Sequence, residues 1–254
     1  MILVALVEFA VCFLILAWLL RKKTGEPYSK KTVVKFVVFG AISVVLWYCV
    51  TLVLPLERDT FFGLNPILSG FLTALITAAL IEEVVKYILF RLAILKNREV
   101  VCWLDAIIAA IAVAVGFTLL EDVIYLFDGP GSILRAIIPG HLLYQAIMGY
   151  YYGKARTTKQ VKYHVLSLVM PILVHTAYDM FLIGMMSIVG DVSAPSGITA
   201  DQLVSIPYYN YLIPMLVCAI VCIAAVLIGL ILFLRKIGVW SKRGEKQELL
   251  NQEA

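Results

Sequence analysis

Charge is scarce in this chain. Asp, Glu, Lys and Arg make up 15% of its 254 residues, against about 25% in a typical soluble domain. Hydrophobic residues reach 62% and the mean hydropathy is +0.96, which excludes an ordinary soluble domain. The basic excess is modest, +4 at neutral pH, and lies between apolar segments, so it forms no patch for nucleic acid. The five cysteines (Cys12, Cys49, Cys102, Cys218, Cys222) fall in or beside apolar segments, where thiols act as small hydrophobes. Cys218 and Cys222 share a helix face but have no flanking His or acid, which argues against a thiolate metal site. Internal repeats, low-complexity tracts and signs of a second, soluble domain are also missing.

What is present is a series of long apolar runs. Crossing a bilayer takes about 20 residues, and roughly seven runs qualify: 2–20, 33–54, 66–92, 103–126, 133–152, 165–189 and 211–234. The fold class expected is all-α, a multi-pass transmembrane helical bundle forming one integral-membrane domain over 1–254. The first run lacks a basic leader and a small-residue cleavage site, so it reads as a retained anchor. Arg21, Lys22, Lys23, Lys30, Lys31 and Lys35 follow the first run; Arg91, Lys96 and Arg98 follow the third. Lys154, Arg156, Lys159 and Lys162 follow the fifth, and Arg235, Lys236, Lys242, Arg243 and Lys246 follow the last. The alternate loops hold only Arg58 and Arg135, which places the N-terminus outside and the C-terminus in the cytoplasm. The segment from Gly190 to Asn210 reads as a turn-rich outer cover, and 241–254 as a polar, frayed tail.

Against this background the buried polar residues stand out, because a charge near the bilayer centre costs at least about 2.5–3.5 kcal/mol. Glu82, Glu83 and Lys86 lie in the third run, Glu121 and Asp122 in the fourth, His141 in the fifth, and His175 and Asp179 in the sixth. Lys86 is four residues from Glu82 and three from Glu83, so it can pair with either acid. His175 and Asp179 are also four apart, which lets the carboxylate fix the imidazole tautomer. Pro139-Gly140 permits a kink beside His141. Adjacent Glu82 and Glu83 diverge by about 100°, so one of them faces any shared cavity. Asp122, near the outer end of its run, reads as facing interfacial water. The interhelical ion pair and hydrogen bond are the structural alternatives for these groups. His-Glu-x-x-His, a Gly-x-Ser-Gly-like turn and Gly-x-Gly-Asp are all missing, which sets aside the usual zinc-helix, serine and aspartyl arrangements.

Glu82-Glu83-x-x-Lys86, Phe117-x-x-x-Glu121, His141 with Gly149 eight residues on, and His175-x-x-x-Asp179 resemble, in order and spacing, the motif set of PrsW. That bacterial family of multi-pass proteases is distantly related to the CAAX-processing and bacteriocin-processing proteases. The resemblance covers roughly 66–189, a core of four helices. Its second motif often reads Glu-Asn where this chain has Glu121-Asp122. It implies an intramembrane endopeptidase in the bacterial cell membrane that cuts a membrane-anchored protein; in the founding case this is the first, outer cut of an anti-sigma factor in a stress response. Glu82 or Glu83 would be the general base, Glu121 a second acid, and His141 and His175 would stabilise the oxyanion or protonate the leaving amine. Asp179 would orient His175, and Lys86 would support. No cofactor is expected. The competing version places zinc on His141, His175 and Glu121. Buried acids and imidazoles also suit a proton-coupled transporter or a non-catalytic scaffold.

Overall fold

The computed structural model describes residues 2–23, 25–54, 61, 63–125, 140–189 and 208–252; the side chains of 2–5, 125, 189 and 244–252 lie outside that description. Among the described residues the chain is helical throughout. Helix α1 spans Ile2–Leu20, α2 Lys30–Val53, and α3 Pro66–Thr73. A π-helical turn, Ala74–Ala79, joins α3 to α4, Leu80–Ile94. Then come α5 (Trp103–Tyr125), α6 (Gly140–Thr158), α7 (Val161–Val189) and α8 (Leu212–Gln252).

The helix starts follow local chemistry. Ser29 caps α2 by accepting from the Thr32 N–H at 3.2 Å, and Asn65 caps α3 with Pro66 in the first position, where a missing N–H costs nothing. Asp105 turns back to accept the N–H groups of Val101 and Cys102 at 2.8 and 3.1 Å, satisfying donors a helix start leaves orphaned.

Among the described residues five helices are long and apolar enough to cross a membrane: Lys30–Val53, Pro66–Ile94, Trp103–Ile124, Val161–Ile188 and Tyr209–Arg243. Leu6–Leu20 is a shorter apolar helix. The expected fifth span is observed only from Gly140, and its helix runs past it into the polar residues Lys154 and Arg156; residues 133–139, with Pro139, lie outside the described residues, as does 190–207 of the expected outer cover. The kink expected at Pro139-Gly140 therefore falls at the edge of the described residues. The tail read as frayed is instead helical to Gln252.

Helix α5 is the central element. Every residue from Leu104 to Thr118 is buried, and α1, α2, α6, α7 and α4 surround it or its neighbours. Close approach depends on missing side chains. A methyl on Gly116 would run into the Val37 carbonyl oxygen of α2, and one on Gly40 into that of Val113, which is how small residues let membrane helices pack without a hydrophobic driving force. Gly149 does the same for α6 against Ala106 and Ile107. Outward-facing Leu14, Val53, Val221 and Ile213 are exposed, as lipid contact requires.

Candidate active site

The residues picked from four separate apolar runs converge. Helix α4 presents Glu82 and Glu83, 3% and 0% exposed, with Lys86 fully buried behind them. The Lys86 ammonium donates to Glu82 Oε2 at 3.0 Å and to Glu83 Oε1 at 2.9 Å. It also meets His141 Nδ1 on α6 at 3.0 Å and sits 3.6 Å from the centre of the Phe117 ring on α5. An ammonium has three protons and no lone pair, so His141 Nδ1 must accept. The ring proton is thereby placed on Nε2, which donates to Glu121 Oε2 at 2.7 Å.

The second histidine, on α7, is held between two acids. His175 Nδ1 lies 3.1 Å from Glu83 Oε1 and Nε2 lies 3.3 Å from Asp179 Oδ2. Neutral imidazole donates from only one nitrogen, so Glu83, His175 and Asp179 together carry two protons. Tyr144 stacks on His175 with ring centres 4.7 Å apart. Its hydroxyl is buried without a hydrogen-bond partner among the described residues.

The two adjacent glutamates have different surroundings. Glu83 accepts from Lys86 and His175 on one oxygen and from Gln145 Nε2, at 2.9 Å, on the other. Glu82 has one oxygen on Lys86, and it lines a small cavity together with His141, Tyr144, His175 and Asp179. That cavity offers about 30 Å³ to the centres of water-sized spheres, enough for a water or two.

Three residues escaped the sequence reading. Gln145 lies one helical turn from His141, a spacing that could have flagged it. Tyr144 had no motif signal. Glu8 of α1 had no motif signal, yet it lines the cavity at 5% exposure. Asp122, expected to face interfacial water, is 4% exposed and lines the same cavity. The correction has a simple cause: α1 packs against α5 and covers the face on which Asp122 lies.

A metal was tested against this geometry. One donor atom each from Glu82, Glu83, His141 and His175 lies within 4.8 Å of the others, and two imidazoles with carboxylates are chemistry suited to zinc. Glu121 is outside that set, since it meets the far nitrogen of His141. The point of convergence, however, is taken by the Lys86 ammonium, 2.9–3.0 Å from three of the four donor residues. With Lys86 so placed, the donors do not fit an ion as well.

Residues 28–212 match the family described as PrsW family intramembrane metalloprotease. The chain is similar to protease PrsW of Oceanobacillus iheyensis, 35% identical over 125 residues, which is 47% of this chain and 58% of that protein. It is 32% identical over 135 residues to protease PrsW of Bacillus subtilis, 50% and 59% of the two chains. With protease PrsW of Clostridioides difficile it shares 27% identity over 174 residues, 63% and 72%. The match to the first two spans under three fifths of their length. No solved structure matches the fold. These bacterial relatives and the apolar helices mark a multi-pass bacterial membrane protein, and the chain belongs to the PrsW family.

Proposed function

We propose that the chain is an intramembrane endopeptidase that hydrolyses a peptide bond of a membrane-anchored protein, with Glu82 as general base. The observation that carries this reading is the division between the adjacent glutamates: Glu83 is saturated by Lys86, His175 and Gln145, whereas Glu82 borders a cavity with room for water.

In the mechanism, Glu82 takes a proton from a cavity water as its oxygen attacks the scissile carbonyl. The Tyr144 hydroxyl, without a partner among the described residues and stacked on His175, donates to the developing oxyanion. His175, oriented by Glu83 and Asp179, supplies positive charge beside it. Glu82 then returns its proton to the leaving amine, so one water is consumed and two chain ends form. Glu121 sets the tautomer of His141, which with Lys86 braces the general base. The Lys86 ammonium supplies the cation at the centre, so no metal is required. The substrate proposed is a single-span protein cut towards the outer side, of which an anti-sigma factor is the example implied by the resemblance. The N-terminus is proposed to be outside.

The test is cleavage of a membrane-anchored reporter by protein reconstituted in nanodiscs. Glu82→Gln should fold and insert but lose about 10²–10⁴ in rate, the range for a general base; full activity in that variant overturns the assignment. The convergence of four donor atoms supports one other version, a zinc enzyme in which Lys86 swings away. Treatment with a strong chelator decides between them: retained cleavage supports Lys86 as the cation, and loss restored by zinc supports the metal.

A further inference from the structure

Across the cavity from Glu82 lies a group of acceptors that the proposed mechanism does not use. Glu8 of α1 and Asp122 of α5 are within hydrogen-bonding reach of each other, at 5% and 4% exposure, and both line the cavity. Each keeps one oxygen, Glu8 Oε2 and Asp122 Oδ2, buried with no partner among the described residues. Thr118, one turn before Asp122 and 2% exposed, lines the same wall with its hydroxyl likewise unpartnered. Buried polar groups are nearly always matched, and leaving one unmatched is costly. Three such groups facing one small space describe a site whose donor lies beyond the described residues.

Two carboxyls in contact cannot both be charged cheaply in a dry wall, so one holds a proton that bonds the other. A metal is the weaker candidate occupant. Among the described residues, the one His, Cys, Asp and Glu group compact enough for an ion is Glu82, Glu83, His141 and His175, and neither Glu8 nor Asp122 is in it. A peptide cation fits better. An ammonium or guanidinium neutralises the single negative charge of the proton-sharing pair and donates to both carboxyls and to Thr118.

Resting on the proposed protease reading, we propose that Glu8, Asp122 and Thr118 form a specificity subsite that takes a lysine or arginine side chain of the bound substrate. Glu8 lies early in α1 and Asp122 late in α5, so the subsite sits towards the outer membrane boundary in the orientation proposed above. Basic residues are uncommon on the outer flanks of spans, which makes such a residue a discriminating mark. Glu8, on α1, lies before the matched stretch 28–212, while Thr118 and Asp122 lie within it.

The test reads binding separately from cleavage. Single-span leucine–alanine peptides with one lysine, norleucine or glutamate, scanned through the outer half, are titrated against the Glu82→Gln protein in nanodiscs. At one position the lysine peptide should bind about tenfold or more tighter than the other two, the scale on which a buried charge pair discriminates. Adding Glu8→Gln or Asp122→Asn should erase that preference while thermal unfolding stays cooperative; asparagine at 122 is the residue the family often carries there, which guards against a merely misfolded variant. Equal affinity for all three peptides, or a lysine preference that survives both substitutions, overturns the proposal. Cleavage by the parent protein is scored independently, so a peptide that binds selectively but is never cut counts against the protease reading alone.

Discussion

The cavity has two unlike walls. On the side built by α4, α6 and α7, acids and bases are matched: three partners surround the Lys86 ammonium and three donors surround Glu83. On the side built by α1 and α5, Glu8, Asp122 and Thr118 each leave a buried oxygen unmatched. Both walls are equally secluded, so burial does not separate them. What separates them is whether the ionisable groups find donors or acceptors among the described residues, since the Tyr144 hydroxyl and Gln145 Oε1 on the first side are unpartnered there too. A completed network holds its shape without help; an incomplete one costs stability until something else completes it. The comparison thus distinguishes fixed machinery from a surface kept for a guest.

Breaking the matched wall should have the largest effect. Lys86→Met would strip the counter-charge from Glu82 and Glu83, and removing one partner of a buried pair costs about 3–5 kcal/mol. Thermal unfolding in detergent should show that loss, and adding Glu83→Gln should recover part of it. Next comes Tyr144→Phe. It removes a hydroxyl that bonds nothing among the described residues, so stability should hardly move, while turnover of a membrane-anchored substrate falls by about a hundredfold or more, as for a lost oxyanion donor. An unchanged rate would exclude Tyr144 from the chemistry.

The unmatched wall predicts the opposite sign. Thr118→Val deletes an unpartnered hydroxyl while keeping its shape, so the protein without substrate should gain stability or stay within about 0.5 kcal/mol, read by the same melting assay. The smallest effect lies outside the membrane, where a third acid serves as a reference. Glu99, in the connection between α4 and α5, accepts from the Ser29 N–H at 2.7 Å and from the Ser29 and Thr32 hydroxyls at 2.8 Å each. Burial alone would raise its pKa, but these bonds, with Lys23 nearby, hold it below the ordinary glutamate value. A carboxylate lowered on folding stabilises above its unfolded pKa and loses that contribution as pH falls through the folded one. The melting curves of wild type and Glu99→Gln should therefore differ slightly at neutral pH and converge below about pH 4.

Much of this was legible in the sequence because the membrane makes polarity informative. Glu82, Lys86, His141 and His175 could be picked out since lipid leaves such residues few innocent explanations, and helical spacing already paired Lys86 with both acids. Spacing along one helix says nothing about which helix lies alongside. Glu8 therefore carried no signal, and Asp122 was placed in water that α1 in fact excludes. The choice between Glu82 and Glu83 was likewise open, because a difference of about 100° between neighbours has meaning only once the partners Gln145 and His175 are in place. The helical tail to Gln252 was hidden by its polar composition, which resembles that of an unstructured end.

That orientation has its origin a turn upstream. In the π-helical stretch Ala74–Ala79 the backbone bonds reach one residue further than in an α-helix, so the winding of everything after it is out of phase with α3. The stretch acts as a set screw: it fixes the angle at which α4 is dialled into the bundle, independently of how α3 sits against α7. Deleting one alanine there would turn the following helix by about 100°, putting Glu83 where Glu82 faces the water and Glu82 where Ile81 stood. A chain otherwise anchored by costly buried charges thus has its chemistry indexed by a few uncharged residues that touch none of it.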